Sequence, residues 1–440
     1  MSGGIGTARG VALSVGAVLG PGVLVLPAIA VRAAGPASLV AWAALLCVSA
    51  LIATSFATLG ARYPDAGGVA TFTHHAFGAH AAAVVGAWLY AAVPAGVVAG
   101  GIAGARYVTA ALDAPTSATG PVAVALLGTI YGANLVGLRL SARLQLALTA
   151  VLIATLAAVL TAAGPHVDPQ RITPFAPHGI AGVGSALAVL FTAICGWEAT
   201  ANLSADYTHP THIRRVARAS LTVVAVLYTG LAVCTVGVLG DDAANSPVPL
   251  MGLIAPTNQP WAATLVAAAA VLFTAAASIT FVAAAARAGL ALARHRVLPA
   301  ALAVTGHDAE PRRSALVQAA AATTITIAAA AAPHTVTVEA LMRVFAALLA
   351  CVTLAGLLAA ARLLPRRRQR ASAVVAALAV AVVAALSTTY LMAPAAVASA
   401  VLARRRTPSN PQPRGDSSSS PCDRRDTLKQ DPLTALGRIR

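Results

Sequence analysis

Apolar stretches of about 20 residues, each long enough to cross a bilayer, follow one another from residue 7 to residue 403 with only short polar breaks. Lipid offers the backbone no hydrogen bonds, so such a chain must cross as helices that pair their own N–H and C=O groups. Only 10% of the 440 residues are charged, against about 25% in soluble domains. The chain reads as an all-α polytopic membrane protein. Spans are predicted at 7–31, 37–60, 81–106, 120–138, 142–164, 180–203, 217–239, 261–287, 314–332, 338–361, 371–387 and 389–403. The last two are short and close together, so one long tilted helix is an alternative to two. The first run exceeds a signal-peptide core and has many spans after it, which marks it as a span and not a cleavable leader.

The net charge of +16 follows topology and not nucleic acid. Arg62, then Arg139 and Arg143, then Arg214, Arg215 and Arg218 fall in alternate loops. The same side holds Arg294, Arg296, Arg312 and Arg313, then Arg366, Arg367, Arg368 and Arg370, and finally Arg404 to Arg406. The opposite side holds Arg32, Arg106, Arg171 and Arg343 with the acidic pair Asp241-Asp242. By the positive-inside rule both termini are expected in the cytoplasm. Residues 407–440, rich in Ser, Pro and charge, are expected to form a disordered cytoplasmic tail.

Two spans are interrupted. Gly20-Pro21-Gly22 sits mid-span and costs a helix roughly 5 kcal/mol, which fits either a packing kink or backbone lining a cavity. The predicted sixth span, LFTAICGWEATANLS, carries Gly196 and Glu198, the latter the only acid well inside any predicted span. An intramembrane carboxylate is a functional candidate by default. The two breaks lie five spans apart, so their segments run in opposite directions. Paired interruptions in inverted halves point to a secondary-transporter site. Half-helix N-termini suit a carboxylate, and freed carbonyls suit an ammonium group.

GAVLGPGVLVLPA, RYPDAGGVATFTHHAFG and GWEATANLSADYTHPTHIRRVARAS together resemble the amino acid–polyamine–organocation transporters over about 400 residues. With VVGAWLYAAVPAG, the chain is most similar to the bacterial branch that exports methionine and branched-chain amino acids. The resemblance implies a five-plus-five inverted repeat (1–164 and 165–361) with two additional helices (362–406), in the bacterial plasma membrane. It implies substrate binding at Gly20, Pro21, Gly22 and Val23 in the first span and at Ile194, Cys195 and Gly196 in the sixth. Glu198 is the candidate for proton coupling, and Tyr90, Phe191 and Thr192 are candidates for gating. The chain departs from the family where Pro21 replaces a Ser or Thr and removes both a hydroxyl and an N–H. Thr192 stands where some relatives place a gating aromatic, and the fifth span has no lysine to carry a proton.

Other features have plainer readings. Gly96, Gly100 and Gly104 form a small-residue stripe that fits close helix packing or substrate access. Tyr90 and Trp88 fit packing or interface positions as well as a gate. Asp206, His209 and His212 are spaced like metal ligands but lack a fourth; His74-His75 reads as a solvated loop, and Glu339–Arg343 as an i,i+4 pair. Five scattered cysteines (Cys47, Cys195, Cys234, Cys351, Cys422) form no CxxC pair. No HExxH, paired intramembrane aspartates, nucleophile–base set or cofactor motif is written in the spans, which argues against a membrane-embedded enzyme; a channel would need a polar ring. The expected function is secondary transport of neutral amino acids, by efflux or by proton-coupled uptake, with no cofactor and no metal. The expected partners are an amino acid, lipid and possible protons.

Overall fold

The computed structural model describes residues 6–64, 67–137, 142–202, 210–303 and 311–406. Residues 407–440, the expected tail, lie outside the described residues, as do Arg139, Asp206 and His209. The described residues up to Arg405 form one compact all-helical unit. Its helices are α1 (Thr7–Leu19), α2 (Leu26–Ala34), α3 (Ser38–Arg62), α4 (Val69–Phe77) and α5 (Ala79–Ala111). They continue with α6 (Thr119–Leu135), α7 (Ala142–Ala163), α8 (Gly179–Leu190), α9 (Trp197–Asn202) and α10 (Pro210–Cys234). The remainder are α11 (Pro249–Ile254), α12 (Pro260–Arg294), α13 (Arg312–Ala331), α14 (Val338–Leu363), α15 (Arg367–Ala385) and α16 (Met392–Arg406). The last apolar region is two helices, divided by a 3₁₀ turn at Thr388–Leu391.

The surface carries the membrane signature. Val124, Leu144, Val226, Leu272, Ile327, Leu378 and Val382 all stand exposed on helices. A soluble monomer would not leave so much apolar side chain in water; in lipid they are solvated. Burial separates inner from outer helices: α5 and α14 bury 67% of their most apolar stretch, whereas α6 and α13 bury 22%. α5 packs on both α12 and α14, and these three make one wall of the interior.

Small residues let that wall close. Each glycine of the α5 stripe receives a side chain from elsewhere. A Cβ at Gly96 would lie 2.7 Å from the Phe345 ring of α14, and one at Gly100 would lie 2.9 Å from the Pro21 ring. At Gly104 the nearest atoms belong to Leu126 and Thr274, at 3.3 and 3.6 Å. Pro94, inside α5, has no N–H to pair with the Tyr90 carbonyl one turn back. Gln318 Nε2 of α13 donates to that carbonyl at 2.9 Å, so the helix passes the proline with its backbone satisfied.

Both interrupted spans break where the sequence indicates. The first is α1, a 3₁₀ turn at Pro21–Leu24, then α2. The second is α8, a 3₁₀ turn at Phe191–Ile194, then α9. They lie side by side and antiparallel. The end of α2 meets the start of α8, since a Cβ at Gly182 would fall 2.6 Å from the Ala33 carbonyl oxygen. At the other end Gly196 packs on Ala17 and Val18 of α1. Between these contacts the two 3₁₀ turns face each other, with Thr192 Cγ2 3.8 Å from where a Gly22 Cβ would stand.

Candidate substrate site

The break in the first span begins at Gly20, whose φ of +40° disfavours any L side chain. Pro21 then opens a 3₁₀ turn, so α1 ends with carbonyls that have no intrahelical donor. Tyrosines from other helices take them. Tyr228 of α10 points its hydroxyl at the carbonyls of Val18 (3.4 Å) and Leu19 (3.3 Å). Tyr107 of α5 donates to the Leu24 carbonyl at 2.8 Å and accepts from the Leu250 N–H at 3.1 Å. Both tyrosines are fully buried, and Tyr228 also stacks on Trp42 with ring centroids 4.7 Å apart. The sequence reading missed these two residues; a tyrosine inside an apolar span, whose hydroxyl needs a partner away from water, is the signal that was available.

The break in the second span ends at Gly196, with φ +140°. Its N–H donates to Glu198 Oε2 at 2.8 Å, and the Thr353 hydroxyl of α14 donates to Glu198 Oε1. Glu198 is 5% exposed, the only buried ionisable carboxylate among the described residues. It therefore ties the broken span to α14 from behind the turn. Trp197 Nε1 adds a bond to Ser49 Oγ at 2.8 Å, which anchors α9 to α3. Thr192 Oγ1 donates to the Met342 carbonyl at 3.2 Å, and Cys195 Sγ to the Phe191 carbonyl at 3.3 Å.

Where the two breaks meet, a narrow cleft with a cavity volume of about 30 Å³ lies against α5, α12 and α14. Such a volume holds water but not an amino acid, so the cleft is narrow in this conformation. Of the sequence candidates, Gly20, Pro21, Gly22 and Cys195 line it, together with Thr192 from the gating set. Val23, Ile194, Gly196 and Glu198 are buried beside the turns but are not in its wall. Phe191 also packs in the core. Tyr90 lies away from the cleft, with its hydroxyl donating to the Ser314 carbonyl of α13 at 3.3 Å. Trp88 likewise bonds the Pro394 carbonyl at 2.8 Å, in α16.

The rest of the wall comes from helices the motifs did not name. Val93 and Val97 of α5, Phe281 of α12, and Met342 and Phe345 of α14 give it an apolar face, and Ser278 of α12 adds one hydroxyl. Among the described residues, no charged side chain lines the cleft. At the α2 end of the bundle an ionic cluster joins both broken spans to α14. Glu339 receives Arg343 at 2.9 Å and Arg32 at 3.5 Å, and Arg343 also donates to Ser185 of α8 at 2.9 Å.

Comparison with known proteins agrees with this architecture. Residues 5–411 match the family model described as amino acid permease. The L-methionine/branched-chain amino acid exporter YjeH of Escherichia coli (strain K12) is 33% identical over 217 residues, 48% of this chain and 50% of that protein. The uncharacterized amino acid permease YecA of Bacillus subtilis (strain 168) is 29% identical over 176 residues, 40% of this chain and 42% of YecA. The branched-chain amino acid permease BcaP of the same organism is 26% identical over 291 residues, 61% of this chain and 62% of BcaP. The chain thus matches about half the length of these curated relatives. Among solved structures, the Eremococcus coleocola manganese transporter is 14% identical with a TM-score of 0.56, over 91% of this chain and 92% of that one. That likeness concerns the fold alone. The chain belongs to the amino acid permease family, within the amino acid–polyamine–organocation superfamily that its motifs resemble.

Proposed function

We propose that the chain is a secondary transporter of neutral, apolar amino acids, working by alternating access around the cleft between the two breaks. The observation that carries the substrate class is the wall itself. Two helix breaks supply backbone polarity, while Val93, Val97, Phe281, Met342 and Phe345 supply an apolar pocket with no charge in it. A zwitterionic head against the breaks and a branched-chain or methionine-like side chain against α5 and α14 match that division. Gly20, Pro21, Gly22, Thr192 and Cys195 contact the head in this reading, and Val23, Ile194 and Gly196 shape the backbone behind it.

Efflux is the direction favoured, on the likeness to YjeH. Proton-coupled uptake is the second reading, supported by the likeness to BcaP and by a buried glutamate beside the site. Repeat boundaries at 1–164 and 165–361, with 362–406 added, are part of this reading, and the antiparallel pairing of the broken spans supports it. Cytoplasmic termini in a bacterial plasma membrane follow from the arginine distribution. The test is counterflow in proteoliposomes with radiolabelled leucine, methionine, arginine and glutamate. Saturable exchange of leucine and methionine is expected, with arginine and glutamate excluded. Exchange of the charged pair alone would overturn the substrate class.

A further inference from the structure

Pro21 poses a problem for this site that a second residue answers. A substrate carboxylate at the first break needs donors, and Pro21 offers neither an N–H nor a hydroxyl. The Val23 N–H is already turned toward the Gly20 carbonyl at 3.4 Å, and the Val25 N–H toward Gly22 at 3.1 Å. Ser278 of α12 is another residue of the cleft wall. It is 1% exposed, it lines the cleft, and its hydroxyl has no hydrogen-bond partner. Helical serines commonly turn back onto the carbonyl four residues earlier; this one does not. A buried hydroxyl left unpaired is costly, so its place in the wall of the cleft between the two breaks points to a ligand.

We propose that Ser278 Oγ donates a hydrogen bond to the substrate's carboxylate, replacing from α12 the donor that Pro21 removes from the first span. This rests on the amino-acid transport reading above and adds a specificity-determining residue to it. Thr274, one turn earlier on α12, is the internal control. Its hydroxyl is also buried and unpaired; its methyl faces Gly100 beside the Pro21 ring and its hydroxyl faces Gly104, but it is not in the cleft wall.

The test is the KM for methionine counterflow in proteoliposomes, compared across variants with equal insertion and wild-type thermal stability in detergent. Ser278→Ala is expected to raise KM about tenfold or more, the range of a hydrogen bond to a charged group. Ser278→Thr, which keeps the hydroxyl, is expected to stay within about threefold of wild type. Adding Pro21→Ser to Ser278→Ala restores a donor at the first break and is expected to recover most of the loss. Thr274→Val is expected to leave KM unchanged. A wild-type KM for Ser278→Ala overturns the proposal, as does a raised KM that Pro21→Ser leaves uncorrected. A changed sodium dependence at unchanged methionine KM overturns it too, by assigning the hydroxyl to a cation. Absence of any saturable methionine or leucine exchange by the wild type would instead overturn the transport reading itself.

Discussion

The Tyr107 hydroxyl and the Leu24 carbonyl meet at 2.8 Å, and this bond ties the 3₁₀ turn of the first break to α5. The phenol comes from α5, so the helix that walls the cleft also fixes the turn that forms its floor. Because it accepts from Leu250 as well, Tyr107 ties the loop segment α11 to the same point. Removing the oxygen leaves a carbonyl and an N–H without partners in a dry interior, at about 1–3 kcal/mol for each group. Tyr107→Phe is therefore expected to lower the unfolding temperature in detergent by several degrees. Tyr228→Phe loses two longer contacts, at 3.3 and 3.4 Å, and a smaller drop is expected. Thermal unfolding followed by tryptophan fluorescence checks both.

The two glycines at the breaks differ in what surrounds them. A Cβ at Gly22 would meet Leu26 Cδ1 at 2.7 Å, the far end of a side chain that can rotate away. Gly22→Ala is expected to fold and transport, whereas Gly22→Leu would insert normally and fill the cleft. Normal flux through a correctly inserted Gly22→Leu variant would remove Gly22 from the site.

At Gly196 nothing can yield. Its φ is +140°, and a Cβ there would lie 2.5 Å from the Ala17 carbonyl oxygen and 2.8 Å from Val18 Cα, all backbone. Gly196→Ala must push α1 and α9 apart, so a fall in unfolding temperature of at least about 5 °C is expected. An unchanged melting curve would mean that the two broken spans are not in this register.

Glu198 offers a test that separates framework from coupling. A glutamine can still accept from the Gly196 N–H and face Thr353, while leucine can do neither. Glu198→Leu is expected to lower stability through two unpaired buried groups. Glu198→Gln is expected to fold and to exchange substrate normally, but to lose the pH dependence of net flux. Retention of that dependence in Glu198→Gln would place any coupled proton elsewhere.

Phe345 closes the cleft against Gly96, and its removal should widen the side-chain pocket. Phe345→Ala is expected to weaken valine and favour phenylalanine or tryptophan, by roughly tenfold in relative kcat/KM. Competition among labelled amino acids in the same proteoliposomes measures the shift.

Some of this site could be read before any fold was known. Gly20-Pro21-Gly22 cannot continue a helix, and a carboxylate at residue 198 cannot sit in lipid unsupported; both statements follow from local chemistry. Hydropathy likewise marked the spans, because each helix in lipid must be apolar along its own length. Periodicity did not reveal which faces turn inward, since lipid and protein interior are equally apolar and the helices carry no polar stripe to orient them. For that reason the contributions of Val93, Val97, Ser278, Phe281, Met342 and Phe345 were not legible, although all six are ordinary span residues. The glycines at 96 and 100 were visible as a stripe, but not that one receives a phenylalanine ring and the other the ring of Pro21. Glu198 was visible as an anomaly, but not that its oxygens face Gly196 and Thr353 rather than the cleft. The sequence by itself determined where the backbone breaks, because proline and glycine act on their own residues. Only the tertiary structure decided what the breaks face, because that depends on residues as far from the first break in sequence as Val93, 71 positions after Gly22, and Phe345, 325 positions after Gly20.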